Sequence, residues 1–168
     1  MRKKLRCDRR GSVMDLFFIV LALFFFAVVI LVGGKIHQEF NTRIQASTEF
    51  NSDAKTAAST LDGYYSSVID NSFLFLAIGL SIVAFVLAAL VRIHPIFIPF
   101  FILTLLFIIV LSGIFSNAFE SMSRDPSMVD FTSRLTIVPI IMGYLPLFVG
   151  VVGTLLMVIM YKTWSIEQ

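Results

Sequence analysis

The chain has one cysteine, two histidines and one tryptophan in 168 residues. A single cysteine, Cys7, excludes an intramolecular disulfide and gives no basis for a Cys/His metal set. The histidines, His37 and His94, fall on opposite sides of the one apolar run between them, 71–91, so they are not expected to share a metal ion or form one acid–base pair. The motifs HExxH, GxSxG, GxGxxG and the P-loop are all missing. Charge is absent from four long stretches, 16–34, 71–91, 95–119 and 135–161. Ion-coupled carriers normally hold ionisable groups within their spans, and these runs hold none, which argues against active transport. Asp15, just before the first run, is the nearest candidate.

What is present is apolar surface. Hydrophobic residues make up 58% of the chain, and the mean hydropathy is +0.92. A water-soluble core of this length cannot hide that much apolar area. Each uncharged run has the roughly 20 residues that a helix needs to cross a bilayer core of about 30 Å. Helices satisfy their own backbone in lipid. The runs lack the alternation of a transmembrane barrel. The expected fold is therefore all-α: an integral membrane protein with four transmembrane helices. Helix 1 is expected to extend into an extracytoplasmic amphipathic helical segment.

The charges between the runs set the orientation. Arg2, Lys3, Lys4, Arg6, Arg9 and Arg10 form a basic cluster before the first run. With four spans, that end shares a side with Arg92 and Lys162, and the opposite side is net acidic. The positive-inside rule then places both termini in the cytoplasm, in an inner, plasma or virion membrane. The basic cluster suits anionic lipid headgroups at the membrane surface, and no specific nucleic-acid partner is expected.

The expected organisation is a basic tail at 1–11, spans at 12–34, 73–91, 96–117 and 135–161, and a cytoplasmic tail at 162–168. Between them lie an extracytoplasmic helical segment at 35–72, a short turn at 92–95 and an outer loop at 118–134. Ser12 and Asp15 read as a capping box for the first helix. Ile36, Phe40 and Ile44 repeat at helical spacing, so that helix is expected to run to about residue 50. Asn51-Ser52-Asp53 reads as a break and a new N-cap, followed by an amphipathic helix that Gly63 can interrupt. Asn71 and Ser72 read as the cap of the second span. Asp130 reads as the cap of a turn leading into the last span.

Ala77, Ser81, Ala84 and Ala88 form a small-residue stripe that suits close helix packing in lipid. Gly143 and Gly150, seven apart, share one face and suit another close contact. Pro146 removes a backbone donor inside the fourth run and is expected to kink it. The hydroxyls within the runs have no obvious base beside them. No catalytic residue, cofactor or metal site is identified.

The stretch Arg9-Arg10-Gly11-Ser12, with Asp15 and an apolar run after it, resembles the leader junction of type IV pilin precursors. Here the acid is fourth after the glycine, not fifth, and three more spans follow, so the resemblance is not adopted. The leading functional expectation is a non-enzymatic structural or accessory subunit of a membrane-embedded assembly. Such assemblies include a virion membrane and a secretion or conjugation complex. Its partners would be the lipid bilayer and either further copies of the chain or other membrane subunits. The alternatives are a small oligomeric pore former of the holin type and an unrecognised membrane enzyme.

Overall fold

The computed structural model describes residues 13–90, 96 and 98–165. The basic cluster from Arg2 to Arg10, the capping residue Ser12, and Arg92 and His94 lie outside the described residues. Among the described residues six helices follow one another: α1 Val13–Ala46, α2 Ser52–Leu90, α3 Ile98–Ser123, α4 Val129–Thr132, α5 Ile137–Gly143 and α6 Leu145–Ser165. No strand occurs among the described residues. Four segments among the described residues are long and apolar enough to cross a membrane: Asp15–Ala46, Ser52–Ala89, Ile98–Ser123 and Leu145–Lys162.

The four long helices pack as a ring of neighbours. α1 lies against α2 and α3, and α6 lies against the same two from the other side. Each helix contributes one buried row at three- and four-residue spacing, as a 3.6-residue turn requires. On α1 the row includes Leu16, Val20, Leu23, Ala27 and Leu31. On α2 it is Phe73, Ala77, Ser81, Ala84 and Ala88. On α3 it is Phe101, Leu105, Ile108, Ser112, Ser116 and Phe119. The outward faces are as apolar as the inward ones, with Phe25, Phe75, Leu103 and Leu147 all exposed. Phe24 of α1 stacks on Phe115 of α3, ring centroids 4.7 Å apart.

The helix boundaries correct several expectations. α1 stops at Ala46, not near residue 50. Ser47 turns the chain by accepting the Glu49 N–H on its hydroxyl. Asn51 then caps α2, its Oδ1 accepting the Ala54 N–H at 2.8 Å. α2 continues unbroken through Gly63 and through Asn71 and Ser72. Gly63 is exposed with no neighbour to displace it, and Ser72 Oγ donates back to the Val68 carbonyl. α3 runs to Ser123, past the expected end at 117, because Phe119 is still a buried row residue.

The fourth apolar run is two helices rather than one kinked span. Tyr144 separates α5 from α6, two residues before Pro146. Pro146 has no N–H for the Met142 carbonyl, so the ladder loses a rung there. The neighbouring bonds persist: Tyr144 N–H donates to Ile140 O at 3.0 Å, and Phe148 N–H donates to Tyr144 O at 2.9 Å. Ser116 of α3 reaches across and donates its hydroxyl to the Gly143 carbonyl at 3.3 Å.

The glycines that matter for packing are not those expected. Gly143 is exposed, and a Cβ built there meets nothing. A Cβ at Gly150 would sit in ordinary contact with Ile109, 3.8 Å away. A Cβ at Gly153 would instead overlap Leu105 and press on Leu16, where α6, α3 and α1 meet. At Gly34 it would overlap the Phe131 ring of α4.

Candidate functional site

The described residues His37, Asp62, Asp70 and Arg134 gather towards the end of the bundle where α1 and α2 form a hairpin. α1 and α2 are antiparallel there. Gln45 Nε2 donates to the Lys55 carbonyl at 2.8 Å near the tip. Two turns below, His37 meets Asp62 and Tyr65. Its Nδ1 lies 3.2 Å from Asp62 Oδ1. Its ring lies flat on Tyr65, with centroids 4.2 Å apart and planes 3° apart.

The segment between α3 and α5 closes over one side of this pair. Asp125 accepts the Ser127 N–H and hydroxyl at 2.8 and 2.5 Å, shaping the turn at Asp125–Pro126. Those bonds hold the exposed Asp125 carboxyl below its ordinary value. The turn leads into α4, whose Phe131 is buried against Gly34 and near Tyr65. Arg134 then donates from Nη1 to Asp62 Oδ2 at 2.7 Å. Asp62 therefore joins α1, α2 and the α4–α5 connection. Burial raises its carboxyl pKa, but the hydrogen bonds and charges of Arg134 and His37 outweigh that and hold it below the ordinary value.

A second carboxylate lies further along α2. Asp70 is only 6% exposed. Its two oxygens accept the backbone N–H groups of Thr136, Ile137 and Val138 at 2.8 to 2.9 Å. These are the orphan donors at the start of α5, and an acceptor there also faces the positive end of the helix dipole. The helix thus takes its cap from another helix. Asp130, expected to cap a turn here, lies in the first turn of α4, which has no side-chain cap. The sequence shows Asp70 only as one acidic residue before an apolar run. No local spacing reveals a partner 66 to 68 positions away.

Hydroxyls along the apolar helices, whether buried or facing outward, bond to backbone, whereas the buried Oε1 of Gln38 accepts no hydrogen bond among the described residues. Ser81 donates to Ala77 O, Thr104 to Phe100 O, Ser112 to Ile109 O and Thr154 to Gly150 O. The small-residue stripe Ala77, Ser81, Ala84 and Ala88 is buried, while Gly143 and Gly150 lie on α5 and α6, away from the hairpin. A His–Asp pair has the form of an acid–base dyad. Here the carboxylate is also held by Arg134, and among the described residues no hydroxyl is hydrogen-bonded to the ring. No group of three or more metal-ligating side chains assembles among the described residues. Compared with protein-family models, with curated proteins and with solved structures, the chain matches none.

Proposed function

We propose that the chain is a polytopic integral membrane protein acting as a non-enzymatic structural or accessory subunit of a membrane assembly. In this reading the α1–α2 hairpin lies outside the cytoplasm and both termini lie inside. The charge sorting along the sequence supports that orientation. The observation that carries the structural reading is the use of the α2 carboxylates. Asp62 ties Arg134 and His37 together, and Asp70 caps α5. Both carboxylates hold the α4–α5 connection onto the α1–α2 hairpin, and in that role they are staples.

The replacement His37→Phe tests this. It keeps a ring stacked on Tyr65 and removes the imidazole nitrogens. A structural role predicts a variant of unchanged native size by native gel after gentle extraction, with unchanged membrane retention. If the variant stays folded yet loses the biological activity of the wild type, the imidazole acts chemically and the membrane-enzyme reading takes over. The pore reading has its own test. A folded protein that dissipates an ion gradient in vesicles would replace the subunit reading.

A further inference from the structure

The hairpin has two unlike sides. His37 and Tyr65 face each other between the helices. Successive residues turn by about 100° around a helix. In an antiparallel pair, the residue just before each facing position therefore turns to the same side. Ile36 and Tyr64 share that side, with Phe40, Leu61 and Val68 one turn away on it. All five are exposed. The opposite side is where Phe131 packs on Gly34 and Arg134 meets Asp62. One side of the hairpin is thus covered by the chain itself, and the other is apolar and bare.

The bare side continues the outward face of the bundle. On α1 the exposed row is Phe18, Phe25, Val29, Ile36 and Phe40. On α2 it is Leu61, Tyr64, Val68, Phe75, Ile82 and Val86, interrupted by the exposed Asn71. At 1.5 Å per residue these rows are about 33 Å and about 37 Å long. Both exceed a hydrocarbon core of about 30 Å, and both fit within the roughly 40–45 Å that includes the headgroup layers. The rows thus have the length of a bilayer. Arg43, exposed near the end of the α1 row on the same side, stands at the level expected for lipid phosphates. Tyr64 has the apolar ring and polar tip of an interface residue.

We infer that the bare side of the α1–α2 hairpin is a membrane-interface anchor. Ile36, Phe40, Leu61 and Tyr64 sit in the outer headgroup layer of the bilayer that the bundle spans. The occupant of this face is lipid rather than a partner protein. A bundle tilt within the ordinary range, about 20°, lowers that side onto the membrane and lifts the His37–Asp62–Arg134 side towards water. The inference rests on the membrane-spanning reading proposed above.

The test uses the full chain with Cys7→Ser, reconstituted in phosphatidylcholine vesicles. Single cysteines at Phe40→Cys, Leu61→Cys, Asp53→Cys and Val110→Cys carry an environment-sensitive fluorophore. Aqueous iodide and lipids with nitroxides in the headgroup or mid-chain serve as quenchers. Position 53 at the hairpin tip reports water, and position 110, exposed on α3, reports the bilayer interior. The anchor predicts that positions 40 and 61 are quenched by headgroup nitroxides and are at least about threefold less accessible to iodide than position 53. Iodide access equal to the tip overturns it. Shielding from both iodide and nitroxide lipid also overturns it, and points to a second copy covering the face. If position 110 is not quenched by mid-chain nitroxides, the membrane-spanning reading itself falls and takes the anchor with it. Two substituted positions keep the result readable if one variant does not fold.

Discussion

Replacing Asp70 should detach α5 from α2 with little effect elsewhere. The carboxylate accepts three backbone N–H groups, from Thr136, Ile137 and Val138. Their exposures differ, and that sets the magnitude. Thr136 is exposed, so water replaces its bond at small cost; Ile137 is half-buried and Val138 is fully buried. In Asp70→Ala the last two donors lose their acceptor where water reaches poorly. Stranding the fully buried Val138 donor costs about 1–3 kcal/mol, and the half-buried Ile137 donor, lost as an ordinary cap bond, adds about 1 kcal/mol, so the expected loss is about 2–4 kcal/mol. Asp70→Asn keeps one acceptor oxygen but turns an amide donor towards other donors, and should lose a comparable amount. The assays are unfolding of the purified full chain by SDS titration with far-UV circular dichroism, and hydrogen exchange at 136–142. Exchange in that segment should accelerate far more than in α1. Unchanged stability with unchanged protection at 137 and 138 would refute the capping role.

Three other outcomes follow from the same contacts. Gly34→Ala should expel Phe131 and loosen α4, at about 1–3 kcal/mol, read as faster exchange over 129–134 with α6 unaffected. The Asp62 carboxyl is held below its ordinary value of 3.8 by Arg134 and His37. Its contribution to stability is therefore present above that value and lost as pH falls through the lower, folded one. Asp62→Asn should flatten the acid limb of a stability–pH curve, by about 1 kcal/mol or less because Arg134 is 42% exposed against 14% for Asp62. Pro146→Ala restores a donor for the Met142 carbonyl and should join α5 to α6, seen as a protected amide at position 146 in hydrogen exchange.

The four apolar helices were legible because their length and lack of charge act locally. The turn at Asn51 was legible for the same reason, since an N-cap is read from a few neighbouring residues. What the sequence hid is mostly relational. Both faces of each helix are apolar, so hydropathy does not say which glycine faces a neighbour. Gly143 and Gly150 share a face, but Gly153 and Gly34 have the crowded contacts. Gly63 and the pair Asn71–Ser72 look like breaks by residue type, yet the helix bonds around them are intact. The polar cluster at the hairpin was hidden because His37, Asp62 and Arg134 come from three separate segments, none of which carries a motif. The break at Tyr144 was half legible: Pro146 signals a lost rung, but not that the run divides into two helices.

The most direct test of the structural-subunit account is gentle extraction of the full protein from its native membranes, with its native mass and everything bound to it identified by mass spectrometry. The account predicts a particle larger than one chain, holding further copies or other membrane proteins in fixed proportion. A monodisperse single chain with no stoichiometric partner would contradict it.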